Sequence, residues 1–585
     1  MIDLNTIDDT STNFNVSLLV VQLTNLTEVY QNLMALKVIH GLYPSVKINI
    51  LTSEKHEKIF KKIKWIDDVF TIPTLNSSLS ENEKRICIAE SILPLTEMKW
   101  DFLLNWSFNV SSSYISTLIP AKVKLGYVRR NDLTLKSPDG WSSYIHACNE
   151  GNVRQNIHKI DIITTQLLTC FQIHLGQPNK SLQGNVSTKN FFNTSYLSHS
   201  FLDAWKTSGK KWTAIDLSSL LKVYSEIDII HLIRVLLNLD SMVAVVLLGD
   251  EKAQSIEKKI FSMLGNKIEL INRMDSLVGE NTFELNVEVL KRVHWLIAGP
   301  GVDSALAGLL GTRVIQSVQI NEFYTQGVYG NGHYLVSCPS KNVKIDDLIQ
   351  VVNFISNKKS LSKNYTYLNY LSENRLSDQS DVYKSKIRAT EDGGGLVYEV
   401  QSNKGLDIDS WTALVLGQIA RSWFCGWTAR TGFELNRKLI VPDLMYKLRV
   451  LQESIPVMIR IFKQSRSTSE QIYALSSQLK SNYLMCVDTK LEVKALQDKL
   501  EELSHLSKKT SEVSSPLIFF EIMKNVLHHH LNGETLNELS KNSIGVYTKL
   551  ILSLEVLQKW CDYSLGLSRL VSVPSAGLSD SSDSR

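Results

Sequence analysis

The sequence predicts an α/β chain in which two Rossmann-like domains face each other across a cleft, followed by an all-α region. Three observations carry that reading. Short apolar runs alternate with amphipathic stretches from residue 16 to about 130. The alternation resumes at 212, and from about 409 the apolar spacing turns helical. Apolar runs of strand length separated by helix-period segments mark βαβ units and a parallel sheet.

In chain order, residues 1–15 are polar and acidic and are expected to be disordered. The runs at 16–22, 46–51, 68–72, 101–105 and 122–127 read as strands. The stretches 27–42, 54–63, 81–92 and 110–119 between them read as helices. Residues 131–206 are less regular and end the first domain, expected at 16–206. A second domain is expected at 207–356. Its strands are "WTAIDL", "MVAVVLLG", 268–271, "VHWLIA" and "TRVIQS", and its helices lie at 226–238, 251–264, 284–291 and from 303. Residues 357–408 are polar, carry three consecutive glycines at 393–395, and read as a linker or surface excursion. Residues 409–572 read as a helical domain, and 573–585 as a Ser/Asp-rich disordered tail. In the helical part Leu496, Leu500 and Leu503 fall at i, i+4 and i+7, a stripe that suits packing in a bundle.

The bulk numbers bound the function. A chain of 585 residues holds two or three domains. Apolar residues are 43% and charged ones 21%, an ordinary globular balance. A net charge of +4 with dispersed Lys and Arg argues against a nucleic-acid partner. Seven cysteines without a CxxC pair suggest neither a zinc site nor a disulfide framework, so no metal is expected. His528, His529 and His530 are adjacent on a helix and diverge by about 100°, which does not suit one metal. No signal peptide or membrane span is read, and a cytoplasmic location is expected.

Three loops end strands at the corner where parallel sheets place ligands. The first holds Thr24, Asn25, Leu26, Thr27 and Glu28. Glu28 either complements the dipole of the following helix or faces the cleft as a general base. The second holds Ser218, Ser219 and Lys222, hydroxyls and a cation that suit a phosphate, though loop serines are common. The third runs Gly299, Pro300, Gly301, Val302, Asp303, Ser304 into a helix whose expected N-cap is Asp303. Its glycines admit close backbone approach by a ligand, or simply a tight turn.

Taken together these pieces resemble glycosyltransferase family 9, the heptosyltransferase-like enzymes. That family opens with an apolar strand, Leu-Ser-Ser-Leu-Gly-Asp-Val and a helix ending in Tyr/Phe-Pro. This chain has Leu23-Thr24-Asn25-Leu26-Thr27-Glu28-Val29 and then "ALKVIHGLYP". "KWDFLLNWSFNVSSSYISTLIPAKVKLGY" is similar to a later strand–helix–strand segment, and "NIHKIDII" to the family's His-x-x-Asp helix. "KVYSEIDIIHLI" resembles its Lys-x-Trp-Pro element, and "LLGTRVIQ" its Leu-Gly-Thr strand. The resemblance spans roughly residues 16–350 and leaves the helical part outside it.

The resemblance implies a GT-B fold and transfer of a sugar from a nucleotide-diphosphate donor to a glycan or other hydroxyl acceptor with inversion. It also implies a place in surface-polysaccharide (lipopolysaccharide) assembly, at or near the bacterial inner membrane. It puts Glu28 at the family's base, with Thr24, Asn25 and Thr27 on the acceptor side. Lys222 falls at the donor lysine, with Ser218, Ser219 and the 299–304 loop beside it. No cofactor or metal is implied. The family's Asp-Ser/Thr-Gly-x-x-His loop is altered: Pro300, Gly301 and Ala305 stand at the Asp, Ser/Thr and His positions. The alternative is a non-catalytic GT-B-like scaffold whose helical region binds a protein partner or a second copy.

Overall fold

The run Val16–Gln22 becomes β1, with six of its seven residues buried. A strand buried on both faces needs a continuous apolar sequence, as this one has. The computed structural model describes residues 16–74, 80–107, 109–129, 135–136, 144, 157–175, 192, 205, 207–264, 273–280, 282–319, 322–337, 344–357, 381–388, 395–400, 411, 415–416, 419, 442–484, 490–510, 517, 520, 523–525 and 535–569.

The first lobe continues with α1 (Leu26–Leu42), β2 (Val46–Ser53), α2 (Glu57–Lys61), β3 (Val69–Ile72), α3 (Glu81–Glu97), β4 (Trp100–Asn105), α4 (Val110–Leu118) and β5 (Ala121–Gly126). A short ribbon, β6 (Val128–Arg129) with β7 (Leu135–Lys136), and the long helix α5 (Lys159–Leu175) follow. The five strands β1–β5 are parallel in the order β3-β2-β1-β4-β5. The order reverses direction at β1, so the crevice beyond the carboxyl ends of β1 and β4 is this sheet's switch point.

The second lobe runs β8 (Lys211–Asp216), α6 (Leu217–Leu220), α7 (Glu226–Leu239), β9 (Val243–Leu248), α8 (Gln254–Leu264), β10 (Met274–Ser276), α9 (Phe283–Arg292), β11 (Trp295–Ala298), α10 (Val302–Leu310), β12 (Arg313–Ser317), α11 (Phe323–Gln326), β13 (Tyr334–Ser337) and α12 (Ile345–Asn357). Its sheet order is β10-β9-β8-β11-β12-β13, parallel throughout, with the switch point between β8 and β11.

The segment 357–408, expected as a linker or excursion, contributes structure instead. The strands β14 (Asp381–Arg388) and β15 (Gly395–Val400) form an antiparallel hairpin that pairs with β13. An open edge strand offers unpaired N–H and C=O groups, and the hairpin takes them up. The strand expected at 268–271 lies outside the described residues, and β10 forms just after it.

Both lobes belong to one compact unit, residues 1–138 with 157–402. α1 joins them. It packs on α5 and on α10, and ten of its residues are buried, among them Tyr30, Gln31 and Asn32. A helix enclosed on nearly all sides loses the usual polar stripe. One apolar cluster accordingly runs from Leu33 and Leu36 in the first lobe to Leu285, Leu306 and Ala307 in the second.

The second unit comprises residues 139–156 with 403–585, so part of the irregular segment expected in the first domain groups here. It is helical where described: α13 (Pro442–Leu484), α14 (Lys490–Thr510) and α15 (Leu536–Arg569). α13 packs on both α14 and α15. The side chains of Ser477 and Asn537 meet at 2.9 Å and those of Gln452 and Asp562 also bond, so α13 and α15 run antiparallel. On α14, Leu496 and Leu506 are buried while Leu500 is 40% exposed, so the packed stripe differs from the expected i, i+4, i+7 set. The two chain ends and His528–His530 lie outside the described residues. Among the described residues no helix is long and apolar enough to cross a membrane, and no cluster of His, Cys, Asp or Glu could hold a metal ion.

Candidate functional site

Three loops named from the sequence sit at the two switch points. After β1 the chain turns through Thr24 and Asn25 into α1. Leu23 donates its N–H to Ser107 Oγ at 2.6 Å, which ties this turn to the end of β4. Asn25 is the N-cap: its Oδ1 accepts the Glu28 N–H at 3.0 Å. Gln22 bonds Thr24 Oγ1 and accepts from Asn32 at 2.7 Å, which fixes the corner from beneath. Thr24 and Thr27 remain half-exposed.

Glu28 stands in the first turn of α1, where unpaired helix amides favour a negative charge. Its Oε2 lies 3.2 Å from Lys159 Nζ, and its side chain is 32% exposed against 11% for Lys159. The carboxylate thus meets solvent on one side and a buried ammonium on the other. Burial lowers the pKa of Lys159, and the charge of Glu28 pulls it back up. Nothing in the sequence pattern marked Lys159; its neighbours His158 and Asp161 were visible only as a His-x-x-Asp resemblance.

At the second switch point β8 ends in Asp216, which N-caps α6 by accepting the Ser219 N–H at 3.1 Å. Ser218 donates Oγ–H to Asp250 Oδ1 at 2.9 Å and accepts the Asp250 N–H at 2.8 Å. Ser219 is buried, and its Oγ accepts the Gly299 N–H at 2.8 Å. These two predicted phosphate contacts therefore satisfy each other. Lys222 is exposed, and its charge reaches Asp216.

The N-cap of α10 is Gly301, where Asp303 was expected. The Gly301 N–H donates to Ser304 Oγ at 3.1 Å, closing the turn without an Asp cap. Asp303 points inward instead, buried, with Oδ1 accepting from Asn286 Nδ2 at 3.3 Å. Burial, and then the neighbouring Asp216, push its carboxyl up to about 8. Both causes favour its neutral form. The first-turn amides of Val302, Asp303 and Ser304 have no acceptor one helical turn back.

The two loops are brought together by α1 and α10. Tyr30, half a turn beyond Glu28, is buried; burial raises its pKa first, then the charges of Asp303 and Glu284. Its ring stacks on Phe283 with centroids 6.3 Å apart. Lys62 pairs with Glu284, and Gln31 donates to the Thr325 carbonyl at 3.0 Å. α1 thus packs on α10, with Tyr30 within electrostatic reach of Asp303.

No family model and no curated protein sequence matches the chain. Solved structures similar to it include a glycosyl transferase family 9 protein from Veillonella parvula. It is 13% identical, with a TM-score of 0.41, over 60% of this chain and 90% of that one. The E. coli heptosyltransferase WaaC with ADP is 15% identical, with a TM-score of 0.43, over 58% and 99%. The E. coli ADP-heptose lps heptosyltransferase II is 11% identical, with a TM-score of 0.40, over 59% and 100%. At such values the chemistry has to be argued from this chain's own residues.

Proposed function

We propose that the chain is a glycosyltransferase that moves a sugar from a nucleotide-diphosphate donor to a hydroxyl acceptor with inversion. One observation carries the reading: α1, which bears Glu28 in its first turn, packs on α10, with Tyr30 within electrostatic reach of Asp303. The partly exposed carboxylate of Glu28 and the open first-turn amides of α10 support it. The family resemblance of the sequence supports the same assignment.

In this reading the diphosphate sits against the amides of Val302, Asp303 and Ser304, with Lys222 beside it, while Ser218 holds the loop through Asp250. Backbone amides at a helix start favour anions, and they offset charge that grows on the leaving phosphate oxygen. Ser219 and Gly299 support the turn, since they bond each other. Glu28 accepts the proton of the attacking acceptor hydroxyl. Thr24, Asn25 and Thr27 line the acceptor side. The upward shift of the Asp303 carboxyl works against a buried negative charge beside the diphosphate.

The test is release of nucleoside diphosphate from a panel of ADP-, UDP- and GDP-sugars by the full chain. Glu28→Gln is expected to lower turnover by about 10²-fold or more. Wild-type turnover by Glu28→Gln would remove Glu28 from this role. Calorimetric titration with the nucleoside diphosphates alone decides the alternative: no binding to any of them favours the scaffold.

A further inference from the structure

The first turn of α5 reaches in three directions. His158, which precedes it, donates Nε2–H to the Gly327 carbonyl at 3.0 Å. Lys159 meets Glu28 at 3.2 Å. Asp161 Oδ1 accepts the hydroxyl of Tyr329 at 2.7 Å. Two of these contacts go to the strap 327–329 between α11 and β13, and the one between them goes to the start of α1. The ring of Tyr329 also packs edge-on against His158, with centroids 5.1 Å apart.

A buried ammonium is costly unless a counter-charge compensates it, and removing one partner of such a pair leaves the other charge uncompensated. We propose that Lys159 is a positioning residue: it fixes the Glu28 carboxylate at the head of α1 and links its place to the docking of the 327–329 strap on α5. The proposal rests on the reading of Glu28 as the base. His158 and Asp161 flank Lys159 on one turn, so a shift of that turn against the strap displaces Nζ and the carboxylate with it. Charged or titratable groups that face this turn include Glu28 from α1, His158 just before it and Asp161 on it, with Tyr329 of the strap bonded to Asp161.

Competitive acetylation of the full chain with acetic anhydride across pH, read lysine by lysine through peptide mass spectrometry, gives the titration midpoint of Lys159. Glu28→Gln is expected to lower it by about 1–3 pH units, the effect of removing a close opposite charge. Glu28→Asp keeps the charge and lowers it less. Tyr329→Phe, which removes the hydroxyl that ties the strap to Asp161, is expected to move it by a smaller but resolved amount. An unchanged midpoint in Glu28→Gln overturns the pairing, and an unchanged midpoint in Tyr329→Phe overturns the link to the strap. Circular dichroism checks that each variant is folded; should Glu28→Gln unfold, Glu28→Asp carries the first arm. None of these readings needs a donor. A normal Lys159 shift with no transfer from any nucleotide sugar removes the base and keeps the pair, and the converse result removes the pair and keeps the base.

Discussion

The hydroxyl of Tyr329 donates to Asp161 Oδ1 at 2.7 Å, across 168 positions of sequence. It ties the second lobe to the helix that carries Lys159. Losing a hydrogen bond of this kind costs about 0.5–1.5 kcal/mol. Tyr329→Phe is therefore expected to lower the unfolding free energy obtained from urea curves by that amount and to speed amide exchange in residues 327–329. Unchanged exchange there would mean that the strap is held by other contacts.

Acid sensitivity follows from two buried histidines. His158 Nδ1 accepts the Ile160 N–H at 3.2 Å, and His333 Nδ1 accepts the Val314 N–H at 3.1 Å. Protonation would set a second N–H against each amide. Burial holds both imidazoles below their usual range, His333 at about 4. The unfolded chain titrates near 6.5, so below that pH it binds more protons than the folded chain, and stability falls. The loss is fully avoided above about 6.5 and grows, by up to about 1.4 kcal/mol per pH unit and histidine, until the folded values are reached. Melting midpoints from pH 7.5 to 5 check this. His333→Asn, whose amide oxygen can still accept the Val314 N–H, is expected to flatten the profile; an equally steep one would acquit His333.

Asp303 predicts the opposite slope. Its folded value, about 8, lies far above the unfolded one, so its favourable share is complete below about 3.9 and is lost as pH rises through 8. Asp303→Asn keeps the oxygen that Asn286 donates to and removes the charge. It is expected to match the wild type near pH 4 and to exceed it near pH 9, by at least about 1.4 kcal/mol, the worth of a tenfold bias toward the neutral form. Denaturant midpoints at the two pH values decide it, and no gain at pH 9 would place the charge elsewhere.

Much of the fold was legible because strands buried on both faces leave a continuous apolar run, as in Val16–Gln22 and Val243–Leu248. The hairpin at 381–400 was not, since a strand such as "DVYKSKIR" alternates with charges and its polar flanks read as a linker. At the site the corner residues were legible, because Thr24–Glu28 and Ser218–Ser219 directly follow apolar strands. The partners were not: Lys159 reaches Glu28 and Tyr329 reaches Asp161 through tertiary packing, which leaves no local period. The N-cap of α10 was misplaced because Asp is the better cap in isolation, whereas Ser304 Oγ satisfies the Gly301 amide and frees Asp303 to turn inward.

The two glycines of the 299–304 loop are expected to behave differently, though the sequence treats them alike. A Cβ on Gly299 would stand 2.7 Å from the Ser219 carbonyl oxygen and 3.1 Å from its carbon, both main-chain atoms that the α6 cap holds in place. The space beside Gly299 is thus filled by the chain itself, and the glycine is there for the close approach of the β11 end to the α6 turn. A Cβ on Gly301 would meet Ser219 Cβ at 3.5 Å and Asp216 Oδ2 at 3.9 Å, both ordinary contacts, and its φ of 173° is extended backbone open to any residue. Gly299→Ala is therefore expected to cost about 1–3 kcal/mol through overpacking. It should also weaken the Ser219–Gly299 bond and so loosen both loops at the second switch point. Gly301→Ala is expected to fold within about 0.5 kcal/mol of the wild type. If the anion reading of the α10 start is right, its added methyl lowers nucleoside diphosphate affinity while stability holds. Melting curves and calorimetric titration on the same two variants separate the roles: equal losses of stability would refute the steric distinction, and full affinity in Gly301→Ala would move the phosphate away from this turn.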